Sequence, residues 1–451
     1  MYFLELYSKF VKNIYLNFKN CAILFLGGAS VMKYINRTLE KTLSNYIGKY
    51  PVIMITGPRQ VGKTTLLNYL ASISKQKINF ISLDDMIVRA QANEDPELFL
   101  RTHETPLVID EFQYAPNLLS YIKMNVDEAR KNAMFNNGKE VGTLYYLTGS
   151  QIFQTMKNVS ESLSGRVGVF DLFAFSNREI NGFKEEQFIP DINLLKKKEP
   201  LKRLSINKIF ENILRGSYPD VRLDKEMIVE HYYSSYIRTY IERDVRELIK
   251  VKDENKFVKF ITTLAARTSG EFNANEISSD VGIDNKTVEE WLSILKNTGI
   301  IYLLQSYTNN NVSRAIRRPK IYFMDTGLAC YLTGYTNREI LEKSSYSGAI
   351  FETFIVSEII KSYTNNGIDP RRHLYFYRDS SGKEIDLLVT INNYVYPVEI
   401  KKSSNPGNKS IKNFDVVNKF GMNVGSGIVL CLCKEILAID DNNYYVPIEY
   451  V

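Results

Sequence analysis

Nine consecutive residues, Gly57-Pro58-Arg59-Gln60-Val61-Gly62-Lys63-Thr64-Thr65, combine two glycines with a lysine and two hydroxyls. Glycines let backbone N–H groups curl around an anion, a lysine here neutralises β- and γ-phosphate oxygens, and Thr64 offers a hydroxyl to magnesium. The spacing fits GxxxxGK[ST] in full. Its flanks supply the context this chemistry needs. Pro51 to Thr56 is a β-branched apolar run that reads as a strand, and the residues from Lys63 to Leu70 carry helical apolar spacing. A second buried-strand pattern, Thr105 to Asp110, ends in two carboxylates. Asp110 is placed to hold magnesium through water and Glu111 to orient the attacking water of phosphoryl transfer. A third strand, Thr143 to Thr148, runs into Gly149-Ser150-Gln151, where Ser150 could sense a γ-phosphate, and Ile78 to Leu83 gives a fourth.

Hydrolysis also calls for a positive charge on the transferring group. Arg166, in Leu163-Ser-Gly-Arg-Val, is the leading candidate, and a surface arginine closing a turn is the other reading. Arg59 is the weaker candidate because side chains at that loop position point outward.

Chemistry of a different kind gathers near the end of the chain. Strand-like runs carry Asp386 in Lys-Glu-Ile-Asp and Glu399 and Lys401 in Val-Glu-Ile-Lys. Glu399 and Lys401 share a strand face. Two carboxylates beside a lysine can bind a divalent metal and position water for phosphodiester hydrolysis, and Glu352 or Glu358 from the preceding amphipathic helix could complete that site. Charged edges of strands are the alternative.

Between these regions, helices read over Lys256–Arg267, Asn275–Val281 and Lys286–Asn297, with Gly282-Ile-Asp as the turn and Asn285 as the cap. This is a helix-turn-helix. Strand-like runs 299–305 and 320–324 enclose Arg314, Arg317, Arg318 and Lys320, giving a wing able to contact phosphates. Glu289 and Glu290 on the last helix leave DNA contact and protein packing equally open. Tyrosines at 232, 233, 236 and 240 form a helical stripe that reads as packing. Residues 175–203 are polar and lysine-rich and suggest a solvated face, with Lys196-Lys-Lys-Glu-Pro200 reading as a linker or exposed loop.

The chain is 451 residues, 44% hydrophobic and 24% charged, with net charge +6. That bulk charge selects no polyanionic partner by itself. Four cysteines without CxxC spacing and three histidines argue against a zinc ribbon or disulfide scaffold, and a reducing cytoplasm fits. The apolar run Cys21 to Gly28 is too short to span a bilayer, so no membrane partner is expected. Gly27 and Gly28 impose GGNGGN upstream of Met32, which suggests that translation starts there.

From Met32 to Val451 the sequence resembles prokaryotic AAA-type ATPases (AAA_14-like) fused to a C-terminal domain of the DUF4143 type. The resemblance rests on Gly57 to Thr64, Leu107-Val-Ile-Asp-Glu-Phe-Gln113, Leu147-Thr-Gly-Ser-Gln151, Leu163-Ser-Gly-Arg166 and Tyr322-Phe-Met-Asp-Thr-Gly-Leu328. Phe112 stands where the family often has a smaller aliphatic residue. The resemblance implies a PD-(D/E)xK nuclease-like fold around Asp386, Glu399 and Lys401. The expected class is therefore α/β, with a P-loop NTPase (AAA-type) domain, a winged-helix middle domain and an α/β nuclease-like C-terminal domain. Expected boundaries are 1–31 as a non-native or disordered extension, 32–180 ATPase, 181–250 helical lid, 251–330 winged helix-turn-helix and 331–451 nuclease-like. The expected cofactors are ATP and Mg2+, with DNA as a partner through the winged helix and C-terminal domain, and oligomerisation open. A nucleotide switch for a protein partner, without nuclease activity, is the alternative.

Overall fold

The computed structural model describes residues 34–138, 141–149, 162–240, 254–308 and 317–451. The expected extension 1–31, the Met32 start, the Cys21–Gly28 run, Ser150 and Arg314 fall outside these residues. Among the described residues no helix is long and apolar enough to cross a membrane.

The first domain opens with helix α1 (Thr38–Tyr46), followed by strand β1 (Val52–Thr56), helix α2 (Lys63–Ile73) and strands β2 (Asn79–Ser82), β3 (Leu107–Asp110), β4 (Tyr145–Thr148) and β5 (Val167–Asp171). These strands form one parallel sheet ordered β2-β3-β4-β1-β5. The strands β1, β3 and β4 are buried throughout, which is why they read as unbroken apolar runs. The strand β5, with Val169 and Asp171 exposed, is an edge that the sequence reading did not anticipate. Its Val-Gly-Val-Phe-Asp alternation was the available signal. Phe112 is buried and lies close under Gly149, so the larger side chain acts on packing.

Lys196, Lys197, Glu199 and Pro200 are exposed, as a linker or exposed loop requires, but a solvated face does not extend over the whole segment 175–203. Ser176, Arg178, Glu179, Glu185 and Phe188 are buried in it, because it is the mortar between the first domain and the C-terminal one. The short helix α3 (Asn177–Ile180) in this segment opens on a Ser176–Glu179 capping box. Arg178 Nε donates to the Val451 carbonyl at 2.9 Å.

Helix α4 (Val229–Tyr240) buries the whole tyrosine stripe, as packing. Helices α5 (Glu254–Ala266), α6 (Ala274–Val281) and α7 (Asn285–Asn297) follow, then the antiparallel pair β6 (Ile301–Leu304) and β7 (Lys320–Phe323). The cap of α7 is Asp284 rather than Asn285: its carboxylate accepts from the Thr287 N–H at 2.9 Å. Helix α8 (Thr326–Leu332) begins at Asp325, whose buried carboxylate accepts from Leu328 N (2.8 Å), Ser217 N (2.6 Å) and Tyr233 Oη (2.7 Å). The motif Tyr322 to Leu328 is thus a structural clasp between three segments.

Helix α9 (Ser347–Thr364) is buried on nearly every turn. It packs below a second sheet of β8 (Leu374–Arg378), β9 (Glu384–Ile391), β10 (Tyr394–Ile400), β11 (Asn423–Val424), β12 (Gly427–Cys431), β13 (Leu437–Ala438) and β14 (Asn443–Pro447). Its order is β13-β14-β12-β10-β9-β8, with β11 beside β10. The strands β8, β9 and β10 are antiparallel, and β10, β12 and β14 are parallel. Cys330, Cys431 and Cys433 are free and buried.

Candidate functional site

The loop from Gly57 to Gly62 leaves the carboxyl end of β1, and its shape is set by backbone that only certain residues tolerate. Gly57 has φ +137°, and a Cβ there would stand 2.0 Å from the Leu172 carbonyl oxygen. Gln60 and Gly62 also have positive φ, which curls the loop onto the first turn of α2. A concave run of N–H groups at a helix start suits phosphate. Lys63 is buried, and its ammonium donates to the carbonyls of Gly57 (3.0 Å) and Pro58 (2.7 Å). The Thr64 hydroxyl donates to both oxygens of Asp110, at 3.0 and 3.1 Å.

Asp110 ends β3 next to Thr148 at the end of β4, and the Thr148 hydroxyl also donates to it. Burial pushes the Asp110 carboxyl up, against those two hydroxyl bonds. A divalent cation between Thr64 and Asp110 would relieve that buried charge, so the pair fits magnesium. Glu111 follows in left-handed backbone (φ 54°), which turns its side chain away from the strand line. Gln113 Nε2 donates to its carboxylate, and the Glu111 N–H donates to Thr148 Oγ1 at 3.3 Å. Thr148 belongs to the small polar strand end expected near the γ-phosphate, whereas no role for Gln113 follows from the sequence reading. The available signal for Gln113 is its place in the Asp-Glu-Phe-Gln motif.

Arg166 is not brought to this site. It precedes β5, whose Val167 pairs with Val52 at the opposite end of β1. That is five strand residues, about 16 Å, from Gly57. Its guanidinium grips Asp127 through Nε (2.7 Å) and Nη2 (2.9 Å) and donates through Nη1 to Ser164 O (2.9 Å). Of the two readings, the turn-closing arginine is the one this chain's geometry displays.

A different arginine reaches the loop. Arg37, just ahead of α1, is buried, and Nη1 donates to Val61 O at 3.0 Å and Nη2 to Phe173 O at 2.7 Å. Glu179 holds the same guanidinium at 3.2 Å. No local pattern marks Arg37, because its partners lie far away in sequence. Two further contacts meet the loop from the opposite side. Tyr232 of α4 donates to Gln60 Oε1 at 2.9 Å, and Gly299, in the turn after α7, sits so near Pro58 that a Cβ would lie 2.9 Å from its ring. Tyr240, two turns along α4, bonds Thr298 beside that turn at 2.8 Å.

The C-terminal cluster forms where β9 and β10 lie side by side. Lys401 Nζ donates to Asp386 (3.1 Å) and Glu399 (2.6 Å), and Ile400 N–H donates to Asp386 at 2.9 Å. Of the two helix carboxylates, only Glu352 joins this group. Tyr322 donates to it at 2.7 Å and Lys320 at 3.3 Å. Glu358 is spent elsewhere, on the Asn177 N–H (2.6 Å) and on Lys361 (2.9 Å). Lys320 is buried against Glu352 and Glu384 rather than presented on a wing, which removes it from the expected phosphate-contacting set. Burial and the neighbouring Asp386 charge push Glu399 and Glu352 up. Burial pushes Asp386 the same way, but the Lys320 and Lys401 ammonium groups overcome it and leave that carboxyl low. Among the described residues no three His, Cys, Asp or Glu side chains converge as a metal-ligand set. At the expected second metal site, Asp386 and Glu399 lie side by side and are bridged by the Lys401 ammonium.

A parallel sheet with this glycine loop at the end of β1 and a carboxylate at the end of β3 defines a P-loop NTPase domain. Residues 49–181 match the family described as an AAA domain (AAA_14), 206–339 match a domain of unknown function (DUF8612), and 347–451 match a domain of unknown function (DUF4143). The chain thus joins an AAA-type P-loop domain to a C-terminal DUF4143 domain. It is similar to the uncharacterized proteins Mb2031c of Mycobacterium bovis and Rv2008c of Mycobacterium tuberculosis. Each is 27% identical over 381 residues, covering 84% of this chain and 76% of the relative. Among solved structures, the Walker-type ATPase PABY2304 of Pyrococcus abyssi aligns with TM-score 0.41 and 14% identity, over 66% of this chain and 96% of that one. The Aeropyrum pernix ORC2 protein aligns with TM-score 0.31 and 12% identity, over 68% and 93%.

Proposed function

We propose that the protein is a magnesium-dependent ATPase that couples its nucleotide state to a DNA-binding or nuclease-like C-terminal unit. The observation that carries this reading is the double contact on the phosphate loop, Tyr232 on Gln60 and Gly299 against Pro58. In this reading a nucleotide that reshapes the loop also moves its contacts with the segments that follow. In this reading the N–H groups of 57–65 cradle the phosphates, with Lys63 on the β/γ oxygens. Thr64 and Asp110 hold magnesium, which would supply charge neutralisation and a fixed phosphate geometry. Glu111 orients the attacking water, held meanwhile by Gln113. Ser150 keeps its assigned sensing role, outside the described residues. With Arg166 held by Asp127, Arg59 is the remaining candidate for the stabilising cation.

The three helices α5 to α7 with the β6–β7 pair support a winged helix-turn-helix. Asp386 on β9 facing Glu399-Ile-Lys401 on β10 supports a PD-(D/E)xK-like centre. A second reading, a nucleotide-dependent switch acting on a protein partner, is favoured by one observation: the Lys401 ammonium bridges the two carboxylates that would otherwise take metal. Both readings place the protein in a reducing compartment, consistent with its free thiols.

The test is ATP turnover with and without duplex DNA, in wild type, Lys63→Ala and Glu111→Gln. Coupling predicts DNA-stimulated turnover, lost in both variants, with nucleotide binding lost only in the first. Turnover indifferent to DNA, with no metal-dependent nicking of plasmid, would leave the switch. Wild-type turnover by the Glu111 variant would remove that residue from its role.

A further inference from the structure

A cleft of about 500 Å³ opens between the helix-turn-helix unit and the C-terminal sheet, away from the phosphate loop. Arg317, Arg318 and Arg378 line it, together with Ser306 and Phe376. Its floor is rigid. Residues 305–307 add to the edge of β8 through Phe376 N to Gln305 O (3.0 Å) and Tyr307 N to Phe376 O (2.7 Å). Ser306, only 2% exposed, has a buried hydroxyl with no hydrogen-bond partner. An unmet buried hydroxyl beside guanidinium groups is a donor held ready for an acceptor.

Charge at the cleft is unevenly spent. Arg378 is tied to Glu271 at 2.8 Å, while Arg317 Nη1 donates only to the Arg378 carbonyl, at 2.8 Å. Neither Arg317 nor Arg318 has a carboxylate partner among the described residues, and both are exposed. The acidic lining is Glu271, already paired, Glu276, bonded by Asn273 at 2.5 Å, and Asp379, which accepts from its own turn. The cleft is also continuous with the carboxylate cluster. Arg378 faces Glu384 across β8 and β9 at 3.7 Å, Glu384 holds Lys320 at 2.7 Å, and Asp386 is two residues on, along the same face of β9. Helix α7, by contrast, presents Lys286 beside Glu289 and Glu290, with Lys286 and Glu290 4.0 Å apart.

We propose that this cleft, rather than the face of α7, binds the phosphodiester backbone of nucleic acid, with Arg317 and Arg318 as the phosphate ligands and Ser306 as a supporting donor. The proposal rests on the nucleic-acid reading above and deepens it. A backbone lying there runs toward Asp386, Glu399 and Lys401. It takes its affinity from phosphate contacts and is therefore sensitive to salt and tolerant of sequence.

The experiment titrates full-length protein into fluorescein-labelled duplex DNA, and separately into an RNA hairpin of equal length, across a potassium chloride series. Arg317→Ala combined with Arg318→Ala is expected to weaken binding at least about tenfold at moderate salt. It is also expected to reduce the slope of log affinity against log salt by about 2, since each lost phosphate contact removes about 0.9. Lys286→Ala with Lys296→Ala is the comparison and should move the slope by less. The single Arg318→Glu variant provides a second measure, with a larger loss than Arg318→Ala. A double arginine variant with wild-type affinity and slope on both polymers overturns the cleft while nucleic-acid binding stands. Wild-type protein that retains neither polymer at low salt overturns the parent reading and the cleft together.

Discussion

Replacing Arg37 by lysine separates the grip on the phosphate loop from the charge that accompanies it. The guanidinium makes two bonds to carbonyls 112 residues apart in sequence, Val61 at 3.0 Å and Phe173 at 2.7 Å, and pairs with Glu179 at 3.2 Å. An ammonium can keep the pairing with Glu179, but it lacks the planar fork that reaches both carbonyls. A charge-assisted bond of this kind contributes about 1.5–3 kcal/mol, so two lost bonds cost on the order of 3–6 kcal/mol of folding stability. Only the Val61 bond acts on the loop itself. Its share, about 1.5 kcal/mol, corresponds to roughly tenfold weaker nucleotide binding if the loop must be re-formed around the phosphates. Arg37→Ala should be worse, because it also leaves Glu179 buried and unpaired, a loss of about 3–5 kcal/mol. The assay is titration with a fluorescent ATP analogue beside a thermal unfolding curve. An Arg37→Lys protein that binds the analogue as wild type does, whatever its melting temperature, would refute the claim that this residue shapes the loop.

Gly57→Ala puts a Cβ 2.0 Å from the Leu172 carbonyl at φ +137°, so about 3 kcal/mol or more of stability should go, seen as a lowered melting temperature with nucleotide binding abolished. Tyr232→Phe deletes one neutral hydrogen bond to Gln60, and calorimetry should find nucleotide affinity changed by no more than about fivefold while any stimulation by DNA falls. Glu185 is pushed up to about 7 by burial and by the Glu179 charge, so the folded state holds its proton more tightly than the unfolded chain. Its stabilising effect is complete below about 4.5 and is lost as pH rises through about 7, at up to about 1.4 kcal/mol per pH unit. Denaturant unfolding of Glu185→Gln should show a flatter stability profile across that interval than wild type, and an identical slope would exclude Glu185 as the source.

The phosphate loop, the acidic end of β3 and the order of strand, loop and helix were legible in the sequence because each is a local event. Backbone conformation at Gly57 and Gly62, the apolar runs of buried parallel strands and the offset from Lys63 to Thr64 depend on neighbours a few residues away. Tertiary structure alone decided which distant groups met. It sent Arg166 to Asp127 and brought Arg37 to Val61, chose Glu352 over Glu358, and turned Lys320 from a wing into the carboxylate cluster. Each of those outcomes turns on where a buried charge finds its counter-charge. Burial makes an unpaired charge so costly that packing, which joins residues far apart along the chain, fixes the partner.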